Sequence, residues 1–441
     1  MPYTIVTLVC VGILLPWALA LQPGCGAGSS GSVSGSAPGG GSTDAGSNPA
    51  DVPETDDPIA STVIGEGPFE SYKTIALADD RTETLDGDIQ TPQTVEVFDL
   101  GAVAVGDRLV ITADAVDELD PVVGVFDANG DAMIVNDDRN YYGGDFDAAL
   151  DVQSRRLTDH CYVAVAASDG SGTTGRYVLS LRRTPGGTLP EPQAQVIYLN
   201  FDGADAILIG RRPPVEIPVF EGSLIGAEFG DRTDELIEQT VAQIRRNYRG
   251  LNVEFVSSRE GPEPTGPHTT LHFGAYDPGL LGLADYVDEF NQAVTQKAII
   301  FVDTFQAFLP LDPSVEEMAN ALANVAAHEA GHLLGLNHTV DPREIMDITA
   351  NLRQMLASEA FRRSPLHSEV FPAGYQDAAQ LLVEAVGGDL AVVKAAAAEQ
   401  LTLRAAWYDE GEPVAARMQV DRPFGTCFCP SCAKHRSSAG H

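Results

Sequence analysis

His328, Glu329, His332 and His338 stand in a register that suits metal-assisted hydrolysis. Three neutral imidazoles can fill three corners of a zinc tetrahedron and leave the fourth for water. A carboxylate directly after the first imidazole projects to where a general base takes a proton from that water. The chain has 9 histidines in 441 residues, so three in this spacing, with Glu and Gly between them, are not an accident of composition. The full run is His328-Glu329-Ala330-Gly331-His332-Leu333-Leu334-Gly335-Leu336-Asn337-His338, and Met346 follows in the next segment.

Positioning these groups requires a helix and a sharp turn. Val315 to Leu334, rich in Ala, Leu, Glu and Met, reads as one amphipathic helix. Ser314 with Glu317 gives it a capping-box start. His328 and His332 are then one turn apart on a shared face, with Cβ atoms roughly 6 Å apart. Gly335 lets the backbone leave the helix abruptly, so that His338 returns to the metal from beyond the helix end.

These residues resemble the metzincin zinc endopeptidases, in which the same run is followed by a methionine turn. The resemblance implies that Met346 lies in a tight turn beneath the zinc as an apolar floor, not as a ligand. Ile348 stands where astacin-like and serralysin-like members usually place a tyrosine ligand, and Thr339 where adamalysin-like members carry Asp. The match is therefore closest to the matrixin-like branch, bacterial members included.

The rest of the chain is multidomain. Its 441 residues, 44% hydrophobic and 20% charged, suffice for two or three cores. A formal net charge of −36 argues against nucleic acid or an anionic membrane as electrostatic partner. Residues 1–25 read as an export signal: an apolar run from Ile5 to Leu21, then Ala18-Leu19-Ala20 as a small-residue cleavage site, or a lipoprotein anchor at Cys25. Residues 26–65 read as a Gly/Ser- and Asp-rich flexible linker.

Residues 66–186 read as an all-β sandwich. Strands are expected at Thr94–Phe98, Arg108–Ala113, Val122–Phe126, Tyr162–Ala166 and Tyr177–Leu181. Asp120-Pro121-Val122 through Phe126-Asp127, Asn136-Asp137-Asp138 and Gly175-Arg176-Tyr177-Val178-Leu179 resemble the bacterial pre-peptidase C-terminal (PPC) domain. Asp127, Asn129 and Asp131 suggest a calcium loop, but Gly130 is fourth where an EF-hand needs Gly at its sixth position, so a hairpin turn is expected. Asp137, Asp138, Asp145 and Asp147 form either a structural Ca²⁺ site or a solvated loop. Cys161, in a strand pattern, reads as buried and inert.

Residues 193–388 read as an α+β zincin domain with a twisted mixed sheet and the active-site helix. Its strands are expected at Val196–Phe201, Asn252–Val256, Thr270–Phe273 and Ala298–Val302, with a helix over Thr233–Tyr248 and a closing helix over Tyr375–Val386. The family resemblance implies an edge strand that pairs with bound peptide, for which Gly282–Val287 is the candidate. It also implies a specificity wall over Asn351–Pro372. His272 and His367 are read as structural or solvated, not as ligands. Residues 389–441 read as a tail with Cys427, Cys429, Cys432 and His435. That cluster makes a second Zn²⁺ site, one disulfide with a spare thiol, or a thiolate cap on the catalytic zinc. No segment like a cysteine-switch propeptide precedes the catalytic region.

The resemblance implies a zinc metalloendopeptidase acting on protein or peptide substrates, secreted or tethered as a cell-surface lipoprotein of a bacterium. Two other readings stay open on the residues alone. One is a surface binding or adhesion protein with a vestigial zinc site; the other is a zinc hydrolase of a non-peptide bond.

Overall fold

The computed structural model describes residues 59–410, except 65–66, 141–142 and 211. The expected export signal, the Cys25 anchor and the Cys427, Cys429, Cys432 and His435 cluster lie outside the described residues.

Ten strands build the N-terminal half: β1 (Ile59–Ile64), β2 (Ser71–Ile75), β3 (Thr82–Ile89), β4 (Val95–Asp99), β5 (Arg108–Ala115), β6 (Pro121–Phe126), β7 (Ala132–Asn136), β8 (Ala148–Gln153), β9 (Tyr162–Ala167) and β10 (Gly175–Thr184). They form a six-stranded sheet, β1-β2-β4-β9-β6-β7, facing a four-stranded sheet, β3-β10-β5-β8. Val123, Val125, Val163 and Val165 of the first sheet pack on Leu109, Ile111, Leu179 and Leu181 of the second. The expected sandwich is present, with all five expected strands in place.

Strand β1 lies inside the segment read as linker through 65, and this corrects that boundary. Ile59-Ala60-Ser61-Thr62-Val63-Ile64 follows a long polar tract, yet its β-branched residues pair antiparallel with β2, Val63 opposite Tyr72.

Strands β6 and β9 are buried at every position. A strand with one solvated face alternates apolar with polar; Pro121-Val122-Val123-Gly124-Val125-Phe126 and Tyr162-Val163-Ala164-Val165-Ala166-Ala167 do not. Their outer face is covered by another part of the chain, described below.

The second half is a five-stranded sheet in the order β14-β11-β15-β17-β16. Its strands are β11 (Gln195–Asn200), β14 (Val253–Ser257), β15 (Thr269–Phe273), β16 (Gly282–Ala284) and β17 (Lys297–Ile300). β11 runs parallel to β14 and β15, and β15 parallel to β17, while the edge strand β16 runs antiparallel to β17. This is the expected mixed sheet. Small two-stranded ribbons join β12 (Ala204–Ile207) to β13 (Val215–Ile217) and β18 (Arg363–Pro365) to β19 (Tyr375–Asp377). Helices α1 (Thr233–Asn247) and α2 (Val315–His332) pack together on the sheet. The Tyr248 hydroxyl donates to the Ala327 carbonyl at 2.9 Å, joining the end of α1 to α2. A short turn, α3 (Leu352–Met355), and α4 (Ala378–Val386) follow.

Residues 389–410 are not a loose tail. They form α5 (Leu390–Glu410), whose Val393 joins the core of the second half. Gln400 accepts from Gln243 of α1 at 2.8 Å, and Glu399 pairs with Arg249 at 2.5 Å. The expected domain ends at 388, just after Gly387. Instead Gly387-Gly388 makes a turn, with φ of 78° and 139°, and Asn252 donates to the Gly387 carbonyl. No helix among the described residues is long and apolar enough to cross a membrane.

Candidate metal centre

Helix α2 is fixed at both ends. The Ser314 hydroxyl accepts from the Glu317 amide at 3.2 Å and the Glu317 carboxylate from the Ser314 amide at 2.7 Å, the reciprocal cap expected from sequence. From Ala321 to His332 every residue is buried, so the histidines project into a packed interior, not from a surface. The helix ends at His332, and Gly335 turns the chain at φ 95°. A Cβ at Gly335 would stand 2.9 Å from the Asp288 carbonyl oxygen, so both the dihedral and the close passage of the 288–290 backbone demand glycine.

The turn delivers His338 to the other two histidines. Nε2 of His332 lies 3.1 Å from Nε2 of His328 and 3.1 Å from Nε2 of His338. Three nitrogens bound at about 2.0–2.1 Å to one tetrahedral zinc sit about 3.3 Å apart, so this spacing fits a zinc ion. All three side chains are buried. Among the described residues these histidines are the one group of three or more that could hold a metal ion.

The tautomers are set from behind. Nδ1–H of His328 donates to the Ile345 carbonyl at 2.7 Å, and that of His332 to the Leu336 carbonyl at 2.8 Å. Nδ1–H of His338 donates to the Glu369 carboxylate. Acceptors at all three Nδ1 atoms place the proton there and leave each Nε2 lone pair facing the common centre. Three lone pairs converging on one point suit a bound cation, so the donor set fits a zinc ion.

Glu369 was missed by sequence reasoning. It lies in a loop far from the motif, and no spacing rule points to it. The nearest signal was His367, two residues before it, read as structural or solvated; His367 donates its amide to the His338 carbonyl at 3.0 Å and is not part of the metal group. His272 is likewise elsewhere, on β15, where it meets the Asn200 amide; burial and then Lys297 push its pKa down to about 4.

Glu329 is fully buried beside the edge strand. A Cβ built on Gly282 of β16 would lie 2.3 Å from its Oε1, so the strand's bare backbone runs directly past the carboxylate. Met346 is fully buried under α2, close enough that a Cβ on Gly331 would meet its sulfur at 2.6 Å. Its turn is tied to the residue after the third histidine: Thr339 donates its amide to the Met346 carbonyl at 2.9 Å. The Glu344 carboxyl accepts from both the Thr339 hydroxyl and the Met346 amide, each at 2.7 Å. Burial raises the pKa of Glu344 to about 8.

In the sandwich, Asp127 Oδ1 accepts from the Asn129 and Asp131 amides, making the expected turn, not a calcium loop. The acidic loop after β7 encloses a guanidinium: Arg139 pairs with Asp114 and Asp145, and lies 3.8 Å from Asp147. A cation site built on Asp145 and Asp147 is thus already answered by an arginine. Cys161 is buried, and burial pushes its thiol up to about 12, which keeps it unreactive.

Residues 240–360 match the matrixin peptidase family (Peptidase_M10). No curated protein sequence matches the chain. Among solved structures, archaemetzincin from Methanopyrus kandleri is similar at 15% identity over 39% of this chain and 91% of its own, with a TM-score of 0.22. The pre-peptidase C-terminal domain of a collagenase from Bacillus anthracis is similar at 14% identity over 25% of this chain and 92% of its own, with a TM-score of 0.20. A periplasmic inhibitor of g-type lysozyme from Aeromonas hydrophila is similar at 14% identity, 25% and 94% coverage, and a TM-score of 0.20.

Proposed function

We propose that this chain, a matrixin-like metzincin over residues 240–360 with a β-sandwich ahead of it, is a zinc-dependent endopeptidase that hydrolyses protein or peptide substrates. The observation that carries the reading is the convergence of the His328, His332 and His338 Nε2 atoms, each with its Nδ1 proton held from behind. Bound zinc would supply Lewis acidity toward the scissile carbonyl and a water acidified toward neutral pH.

The chain's own residues supply the rest. The Glu329 carboxylate accepts a proton from the attacking water as its oxygen bonds to the carbonyl carbon. The same carboxyl then returns the proton to the amide nitrogen as the C–N bond breaks, so water is added across the peptide bond. β16 is paired on one side only, with β17. Its other edge offers main-chain groups to an extended substrate, which would bring a carbonyl to the zinc side of Glu329. Gly282–Val287 is therefore the proposed substrate-edge segment, and Met346 the proposed floor of the metal site.

The export reading of residues 1–25 supports a proposed location outside a bacterial cell, secreted or held by a lipid on Cys25; the mass of the mature N-terminus would decide between the two. The function is tested with Glu329→Ala against a denatured protein substrate and an ester panel. The expected result is full zinc content with turnover lost on the protein. Wild-type turnover by the variant sinks the mechanism, and cleavage of esters alone sinks the peptidase reading.

A further inference from the structure

The loop that orients the third histidine is held from its far side by the sandwich. Residues 366–376 close over Asn337-His338 from one direction. Glu369 takes the Nδ1 proton of His338. The Gln376 side chain accepts from the Asn337 amide at 2.8 Å and donates to its carbonyl at 2.7 Å. The opposite side of the loop is sealed into the outer face of the six-stranded sheet. Leu366 and Phe371 are buried in one apolar cluster with Val122, Phe126, Tyr162 and Ala166. This is the cover that the all-apolar β6 and β9 require.

The contact is specific in its geometry. The Phe371 and Phe126 rings are 5.3 Å apart between centroids. A Cβ on Gly374 would stand 2.5 Å from the Phe126 ring, so the loop backbone rests on that ring. The β6–β7 turn adds polar fastening: Tyr375 donates its amide to the Gly130 carbonyl at 2.9 Å. Arg363 pairs with Asp131 at 2.5 Å and donates to the Asn129 carbonyl at 2.9 Å. Val122, Val135, Asn136 and Asp137 of the sandwich line the same cavity as His332, His338 and Glu369.

We propose that the β-sandwich is a structural half of the metal centre, with Phe126 and Phe371 as positioning residues that fix Glu369 and, through it, the third zinc ligand. The inference rests on the zinc reading of the three histidines. A carboxylate behind a ligating imidazole sets ring orientation and basicity, and losing one weakens metal binding by about 10–100-fold. A carboxylate on a loop retains that effect only while the loop is held, and the apolar clamp holds it. An apolar contact remote from the metal then changes metal affinity without touching any ligand.

The test uses the full-length protein, with zinc affinity from chelator competition and the visible spectrum of the Co²⁺-substituted form. Wild type is expected to take up one zinc in the His328, His332 and His338 site. Phe371→Ala and Glu369→Ala are each expected to weaken zinc by about 10–100-fold and to alter the Co²⁺ bands. Their double variant should bind no more weakly than the worse single, because both act on one link. Phe371→Leu, which keeps an apolar side chain, should restore affinity. Should Phe371→Ala fail to fold, Arg363→Met carries the same test with a severalfold weakening. Wild-type affinity in the Phe371→Ala or Arg363→Met variant, or additive losses in the double, overturns the proposal. A wild-type centre that takes up no zinc overturns the zinc reading and this inference together.

Discussion

The α-carbon of Gly282 and the carboxylate of Glu329 share a space that admits no further carbon: a methyl group on Gly282 would stand 2.3 Å from Oε1. The edge strand and the buried glutamate therefore fix one another. Gly282→Ala should push Glu329 away from its place beside the metal while leaving all three imidazoles untouched. The expected outcome is a fall in kcat of roughly 100-fold or more, the range lost with a misplaced general base, at unchanged zinc content. Steady-state kinetics with metal analysis checks it; a kcat within twofold of wild type shows that the glutamate tolerates displacement.

Gly335→Ala acts differently, because it strains the turn that delivers His338. The residue combines φ 95° with a close passage of the 288–290 backbone, where a Cβ would stand 2.9 Å from the Asp288 carbonyl oxygen and the Glu289 α-carbon. We expect a loss of about 1–3 kcal/mol in the metal-free protein and weaker zinc binding besides. Denaturant midpoints with and without zinc separate the two effects, and an unchanged midpoint in the metal-free protein refutes the strain argument.

How much of this site was legible depended on sequence distance. Ser314 with Glu317, the His328–His332 pair and Gly335 follow from helix geometry within a few residues, so the pattern announces them. Glu369 answers His338 across a loop, and Phe126 answers Phe371 across most of the chain. No periodicity encodes such pairings. One signal did exist: β6 and β9 carry apolar residues on both faces, which a one-sided sandwich strand does not need. The role of α5 was hidden for another reason. Gly387-Gly388 terminates α4 as a domain boundary would, and the chain turns back onto the same core through contacts that no local pattern encodes, such as Leu251 with Gly388 and Gln243 with Gln400.

That helix carries a buried charge pair which gives the third prediction. Arg404 of α5 and Glu359 lie 3.8 Å apart, with side chains 5% and 6% exposed, and Arg404 also donates to the Ser358 carbonyl. Burial holds the Glu359 pKa well above its usual value, with Arg404 the main opposing influence. Removing the cation by Arg404→Met leaves the buried carboxyl without its counter-charge, at a cost that rises toward about 3–5 kcal/mol as pH rises and Glu359 ionises. Adding Glu359→Gln should recover a large part of it. Thermal melts of the two single variants and the double check this. If the double is no more stable than Arg404→Met alone, the pair is not the source of the loss.

Glu344 gives the last prediction, and its sign follows from its environment. The carboxyl is fully buried, and burial is the largest cause of its shift; the Thr339 hydroxyl and Met346 amide oppose the shift, and Asp347 adds to it. Its folded pKa of about 8 exceeds the ordinary glutamate value of 4.5, so the folded state holds a proton that the unfolded chain releases. Below pH 4.5 both states are protonated and Glu344 costs nothing. As pH rises from there toward 8, stability is progressively lost, and above 8 the loss is complete. Glu344→Gln keeps an oxygen for the Thr339 and Met346 donors but cannot ionise. The variant should therefore match wild type near pH 4.5 and exceed it in melting temperature near pH 8, by about 2–4 °C for each kcal/mol gained. Melting curves across that range on the zinc-free protein decide the matter. A difference that is constant with pH, or that grows toward acid, shows that Glu344 is already ionised in the folded chain.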